Sequence, residues 1–494
     1  MQKVHSVKYN FIMNFILTAS GIIFPLITFP YITRVIGMER YGAVSYVTNV
    51  INFALLFAQL GIPTYGVRAC AKVRDDKQKL SQTAQEILFI NMVMSLIVTV
   101  VFTGLIFAIP SFFNHKEMFF ISLATFFLQA LGTNWLFQAL EQYDYITVRS
   151  LVFKIISIIL MFILVHQSDD YIIYCAITVF AGFGSNVFNF FRARKYVSFH
   201  KTAPYNLRQH FKPIFILFAQ SLAISIYTYL DSVMLGLMKG DLEVGYYTSA
   251  TKIKVILVSL VTSLGNVLLP RMSYYVHNGM KKDFYKTMAK AFNFTLFMSV
   301  PLALFFSITA SNCLLFLAGG ESLPAATAMT VITLSVIPIG ITNVLGIQVL
   351  TPLNEEKKVL TSVIVGAVID FVLNLILIPF FGSTGASVAT LVAEIGVLAM
   401  QMIFAIHILK RVKSKIHVAK YGICGIVAAI PLFFINGMPL PHVVLNLLLS
   451  LVVYAGIYFG ILFVTKDKIL TESLGSFKRK LKSKKQSDTD QKEI

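Results

Sequence analysis

The sequence predicts an all-α integral membrane protein with fourteen transmembrane helices, arranged as two pseudo-symmetric six-helix lobes plus two extra C-terminal helices. Three observations carry this. Of 494 residues, 56% are hydrophobic and 13% charged, about half the charge of an ordinary soluble domain, so a water-soluble fold could not hide the apolar surface. The apolar residues form continuous runs of the ~20 residues a spanning helix needs, whereas barrel strands would alternate over about ten. Lys and Arg then gather in alternate loops, as they do on the cytoplasmic side of a membrane.

In chain order, runs near 10–33, 43–67, 84–109, 118–138, 150–166 and 171–191 make the first six helices. Lys3 and Lys8 precede the first run without a cleavage site leading into a soluble domain, so it reads as a retained span. Runs near 212–237, 245–269, 288–311, 324–351, 359–381 and 385–409 make the second six, and 418–436 and 441–465 complete the set. With the N-terminus inside, 36 of the 42 Lys and Arg fall in inner loops: Lys3 and Lys8, Arg68–Lys79, Arg149 with Lys154, Arg192–Lys212, Arg271–Lys290, Lys357 with Lys358, Lys410–Lys420, and the tail after Thr465. Arg34, Arg40, Lys116 and Lys239 fall outside, and Lys252 and Lys254 within a span. One missed helix would invert every later loop, so an even count with both termini cytoplasmic is expected in a bacterial cytoplasmic membrane. The net charge of +19 is thereby topological and implies no nucleic acid. Lys478–Lys485 reads either as a solvated tail or as a contact for anionic lipid.

The four cysteines, Cys70, Cys175, Cys313 and Cys424, have no metal-site spacing and read as small core residues. An internal repeat organises the rest. Val35-Ile36-Gly37, Tyr41-Gly42 and Ser45 recur as Met234-Leu235-Gly236, Gly245-Tyr246-Tyr247 and Ser249, and Leu60-Gly61 with Arg68 recurs as Leu264-Gly265 with Arg271. Six is even, so both copies enter the membrane from the same side as a parallel repeat. The expected divisions are an N-lobe over 1–200, a C-lobe over 205–412, two further helices over 413–465 and a basic cytoplasmic tail over 466–494.

The run Phe24-Pro25-Leu26-Ile27-Thr28-Phe29-Pro30-Tyr31-Ile32-Thr33-Arg34-Val35-Ile36-Gly37, closed by Tyr41-Gly42, resembles the opening of bacterial polysaccharide repeat-unit flippases of the multidrug/oligosaccharidyl-lipid/polysaccharide (MOP) exporter superfamily. Asp231, Leu235-Gly236, Gly245-Tyr246-Tyr247, Ala250 and Pro270 resemble the same family's seventh and eighth helices. The resemblance implies two lobes around a cavity that opens alternately inward and outward, carrying undecaprenyl-pyrophosphate-linked oligosaccharide to the outer leaflet. Capsule, O-antigen and teichoic-acid units all fit, as does a monomer working with envelope glycan-assembly enzymes. Peptidoglycan-precursor flippases share the fourteen helices; the cation-coupled drug antiporters usually have twelve.

Ionisable groups at membrane depth are costly and therefore functional candidates. Arg34 offers a bidentate fork to a pyrophosphate, or snorkels to outer headgroups. Lys252 and Lys254 point roughly 200° apart on a helix, so one at most faces a cavity squarely. Asp231 is the natural counter-ion for Arg34 or Lys252, and also a candidate for coupling to H+ or Na+. Asp370 and Glu394, with Asn374 nearby, suit either a cation-coupling site or a buried pair of neutral acids. Arg68 and Arg271 mark equivalent inner helix ends, within reach of incoming phosphates. Pro25, Pro30 and Pro338 allow bending. Tyr227, Tyr229, Tyr246 and Tyr247 could stack sugars or form an interfacial belt. No P-loop, nucleophile elbow or HExxH motif occurs, so neither a cofactor nor an enzyme is expected. The rival membrane glycosyltransferase or polymerase would need a sizeable extramembrane loop bearing acids and His.

Overall fold

The computed structural model describes residues 7–198, 200, 204–438 and 442–471. Lys3 and Lys478–Lys485 lie outside these residues, as do the side chains of Lys8 and Tyr227.

Every regular element among the described residues is helical. The chain runs through α1 (Val7–Gln59), α2 (Ile62–Lys72), α3 (Lys77–Ala108), α4 (Pro110–Asn114), α5 (Lys116–Gly132), α6 (Asn134–Ala139) and α7 (Tyr143–Leu164). It continues through α8 (Tyr171–Val179), α9 (Asn186–Ala193), α10 (Arg208–Met238), α11 (Asp241–His277), α12 (Lys281–Ile308) and α13 (Ala310–Ala318). The remainder is α14 (Ala326–Leu334), α15 (Val336–Asn343), α16 (Glu356–Phe404), α17 (Ile406–Lys410), α18 (Val418–Asn436) and α19 (Val443–Val464).

Ten helices among the described residues are long and apolar enough to cross a membrane, eleven when the bent pair Asp241–Ser263 and Leu268–His277 counts as one. Fourteen runs were expected. Two of the ten are far too long for one crossing: Ile12–Lys72 has 61 residues and Glu356–Phe404 has 49, lengths of about 90 and 74 Å at 1.5 Å per residue. Each breaks at a non-helical glycine, Gly37 (φ 79°, ψ 166°) and Gly382 (φ 54°, ψ −131°). The runs at 10–33 and 43–67, and at 359–381 and 385–409, fall on either side of these breaks.

Positive φ explains glycine at both breaks. A carboxylate then caps the helix that restarts: Met38 N donates to Glu321 Oε2 at 3.0 Å, and Ser383 N donates to Glu243 Oε2 at 2.6 Å. An acceptor at a helix N-terminus satisfies an orphan amide and suits the helix dipole.

Backbone conformation also corrects the register of the repeat. Gly240 has positive φ (88°) as Gly37 does, and each stands five residues before a glycine of the second signpost, Gly42 or Gly245. Gly37 therefore corresponds to Gly240 rather than Gly236. Gly236 has its own reason to be glycine, because a Cβ there would collide with the Tyr46 ring.

Contacts divide the chain into two compact units. The first holds residues up to 249, with 317–325 and 366–389; the second holds 250–316, 326–365 and 390 onward. In the first, Leu60, Ile62 and Ile87 pack with Trp135, Leu136 and Ile214. In the second, α18 and α19 lay Ala428, Leu432, Tyr454 and Tyr458 against Leu296 and Val300 of α12. Phe433 and Phe434 point outward at 68% and 71% exposure, a surface suited to a bilayer and not to water. The four cysteines are free and buried.

Candidate functional site

Polar contacts cross the seam between α1 and α7 in the first unit. Thr147 Oγ1 donates to the Met13 carbonyl at 3.0 Å, and Tyr31 OH donates to the Val165 carbonyl at 2.7 Å. Between them Lys154 Nζ donates to Ser20 Oγ at 2.8 Å, with its ammonium 5.8 Å from the Phe24 ring centroid. No carboxylate among the described residues forms an ion pair with it.

This corrects the assignment of Arg149 and Lys154 to an inner loop. Both belong to α7, and Lys154 stands near the middle of its 22 residues. The signal was present in the sequence, since the run 150–166 already enclosed Lys154. A window average hides one lysine among Ile, Leu and Phe.

Arg149 is 7% exposed. Its Nη2 donates to Asn134 Oδ1 at 3.0 Å and to Asn186 Oδ1 at 3.4 Å. Asn134 is available because α5 ends at Thr133 (φ 38°) and α6 restarts beside it. Asn189 Nδ2 donates to the Gly132 carbonyl left at that break.

The second polar cluster of this unit centres on Asp231 in α10, 3% exposed. Tyr247 OH donates to its Oδ2, and Asn374 Nδ2 donates to its Oδ1 at 2.6 Å. Asp370, 1% exposed, precedes Asn374 by one turn of α16. Three sequence-predicted residues, Asp231, Asp370 and Tyr247, are thus gathered around Asn374 and its neighbouring turn. Glu394 is likewise buried, in the second unit.

At the same end of the first unit as the Gly37 break, His115 Nε2 meets Asp241 Oδ2 at 2.7 Å while Nδ1 meets the Ser111 carbonyl at 2.8 Å. Burial alone would lower the His115 pKa, but the Asp241 hydrogen bond, the Ser111 carbonyl and the Asp241 charge outweigh it and hold it above the usual value.

Arg34 is exposed and folds back, Nη1 donating to the Pro30 carbonyl at 2.8 Å, with Gly319 against its stem. Lys252 and Lys254 are half-buried in α11. Arg68 is exposed in α2. Arg271 is exposed too, and its Nε donates to Tyr275 OH at 2.7 Å. Arg34 is exposed, so on the flippase role that the resemblance of the first helix implies, replacing it by Ala should slow transport by about tenfold, the scale of one charge-assisted hydrogen bond. Arg34→Lys should recover part of that rate because only the fork is lost. Initial flipping rates in vesicles at matched protein density read this out, and full activity in the Ala variant would return Arg34 to a snorkelling role.

A family model described as polysaccharide biosynthesis protein matches residues 7–276, more than half the chain. The chain belongs to that family. The MatE model matches residues 217–376, so this polysaccharide biosynthesis protein sits in the MOP superfamily, as the resemblance of its first helix implied. A candidate O-antigen transporter of Escherichia coli (strain K12) is 24% identical over 415 residues, covering 81% of this chain and 96% of that protein. Among solved structures, the lipid II flippase MurJ in an inward closed conformation superposes with TM-score 0.73 at 15% identity, covering 93% of this chain and 99% of that one. An inward-facing multidrug resistance MATE transporter superposes with TM-score 0.63 at 13% identity, covering 79% and 95%. At such identities the family member shares a fold with both, and its substrate must be argued from its own residues.

Proposed function

We propose that this polysaccharide biosynthesis protein is a non-catalytic flippase. It moves undecaprenyl-pyrophosphate-linked oligosaccharide, of the capsule, O-antigen or teichoic-acid type, from the inner to the outer leaflet of the bacterial cytoplasmic membrane by alternating access. Fourteen crossings in two six-helix lobes, 1–200 and 205–412, with both termini cytoplasmic, accompany this reading. The observation that carries it is Lys154, a cation in mid-helix whose described partners are a hydroxyl and a ring. A half-buried ammonium at membrane depth is costly without a counter-charge. A pyrophosphate passing along the α1–α7 seam supplies one. Arg34 contacts it near the outer end, and Lys252 or Lys254 and the inner arginines Arg68 and Arg271 contact it elsewhere on its route.

An interior-negative potential contributes roughly 2.3 kcal/mol per charge per 100 mV toward outward movement of an anion. Asp231, Asp370 and Glu394 are the groups through which H+ or Na+ would couple. They also support a second reading, a cation-coupled drug antiporter, because Asp231 and Asp370 are buried beside one another's hydrogen-bonding turn.

Vesicles holding the purified protein and a fluorescent undecaprenyl-pyrophosphoryl sugar separate the readings. The label should change leaflet without changing mass. A label that stays in place, with cationic dye expelled against an imposed H+ or Na+ gradient, would make the antiporter correct.

A further inference from the structure

In the second unit the α11–α12 turn, the turn after the π-helical stretch Val344–Leu350, and α17 enclose a cavity of about 250 Å³. Lys281, His407 and Arg411 stand at its edge, Phe284 and Ile408 line its apolar part, and no carboxylate lines it. Its tyrosines are already engaged as acceptors. Arg411 Nη1 donates to Tyr285 OH at 3.1 Å, and Arg271 Nε donates to Tyr275 OH at 2.7 Å. Each hydroxyl keeps its own proton to give elsewhere, so the site presents ammonium, guanidinium and phenol donors, with no side-chain acceptor of comparable strength. Such a donor set fits an oxyanion with several oxygens, above all a phosphate.

The two units share the turn that borders the cavity: Glu141 (φ 57°) is followed by Gln142 N donating to the Phe137 carbonyl, and Asn354 (φ 60°) by Glu355 N donating to the Leu350 carbonyl. Beside the first turn, Gln85 of α3 donates to the His200 carbonyl at 3.2 Å and accepts from Tyr205 OH at 3.1 Å. Gln82 donates to the Pro204 carbonyl at 3.3 Å. In the second unit the segment before α18 meets α12 at Asn293, which donates to the Lys415 carbonyl at 2.7 Å and accepts from His417 N at 2.9 Å, and neither Lys415 nor His417 lines the cavity.

We propose that this cavity holds the phosphate headgroup of an anionic phospholipid of the surrounding bilayer. Size admits that occupant, since a half-open cavity of about 250 Å³ has room for a phosphate headgroup with its tails outside. Exposed apolar side chains flank the lining in sequence, Tyr274 at 60%, Ile406 at 41% and Met280 at 37%, where acyl chains would lie. Basic pockets between transmembrane helices on the cytoplasmic side recognise anionic headgroups in the same way, and these loops belong to the basic set expected there.

Native mass spectrometry of the purified full-length protein, titrated with phosphatidylglycerol or phosphatidylcholine, tests this. A phosphatidylglycerol adduct should be retained and a phosphatidylcholine adduct should not. The Lys281→Gln, Arg411→Gln double variant should weaken the phosphatidylglycerol adduct by about tenfold with an unchanged melting temperature. Tyr285→Phe, which keeps the ring and removes one donor, should weaken it by a few-fold and serves where the double variant folds poorly. Equal retention in parent and variants overturns the proposal. So does an adduct formed by undecaprenyl diphosphate and indifferent to phosphatidylglycerol, which would make the cavity part of the substrate route.

Discussion

Replacing Lys154 by Met is expected to slow flipping by on the order of 100-fold while leaving the protein as stable as before, or more so. The two effects have opposite signs for a physical reason. A lysine held in the α1–α7 seam by Ser20 and the Phe24 ring bears a desolvation cost that one hydroxyl does not offset. Met has similar length and no charge, so it fills the seam without that cost, and the melting temperature should hold or rise by the few degrees that about 1 kcal/mol gives. Transport loses a charge-assisted contact, of a kind that contributes about 1.5–3 kcal/mol, so the rate should fall by on the order of 100-fold. Lys154→Arg keeps the charge and should keep a measurable rate. A structural lysine would behave the other way, with stability falling and the rate following it. A Met variant that is destabilised yet turns over normally per folded molecule would remove Lys154 from the substrate route.

The helical membrane fold was legible because it rests on long apolar runs, and composition sets those directly. What failed to show were features made by distant contacts or hidden by averaging. The break at Gly37 looked like a loop over 34–42. In the structure the helix runs to Gly37 and restarts at once, because Glu321, 283 residues away, caps Met38 N. No local pattern announces such a cap. Gly37 was matched with Gly236 on apolar similarity alone, and the left-handed backbone at Gly240 supplied the true partner. Asp370 and Asn374 were correctly noticed as neighbours on one helix. Nothing in the sequence could say that Asn374 reaches Asp231, 143 residues away. Lys154 lies inside the apolar run 150–166, and its single charge is masked there by the Ile, Leu and Phe around it. Arg34, Lys252 and Lys254 drew attention because each lies at or inside a predicted boundary, and that same criterion, applied evenly, includes Lys154.

Gly42→Ala is expected to be among the most damaging single changes in the first unit, although it adds only one carbon. A Cβ at Gly42 would collide with the carbonyl oxygen of Asp241 and stand 2.7 Å from Gly245 N, while a Cβ at Gly245 would stand 2.5 Å from the carbonyl oxygen of Met38. All three obstacles are backbone atoms, so no rotamer change relieves them, and α1 and α11 must move apart. That movement strains the His115–Asp241 contact at 2.7 Å and the Met38–Glu321 cap at 3.0 Å, both next to the crossing. Overpacking of this kind costs about 1–3 kcal/mol, so the melting temperature should drop by several degrees. If closure of this end is one half of the transport cycle, flipping should fall with it. Ser249 is fully buried beside the crossing. A cysteine placed at Ser249 should therefore resist a membrane-permeant maleimide in the parent and react in the Gly42→Ala background. Gly104→Ala is the internal control, since nothing lies within 4 Å of a Cβ there; with helix propensity favouring Ala by up to ~1 kcal/mol, it should hold or raise stability. A Gly42→Ala protein that melts, labels and flips like its parent would show that the α1–α11 crossing tolerates the carbon, and that the close approach of its two glycines has no part in closing this end of the molecule.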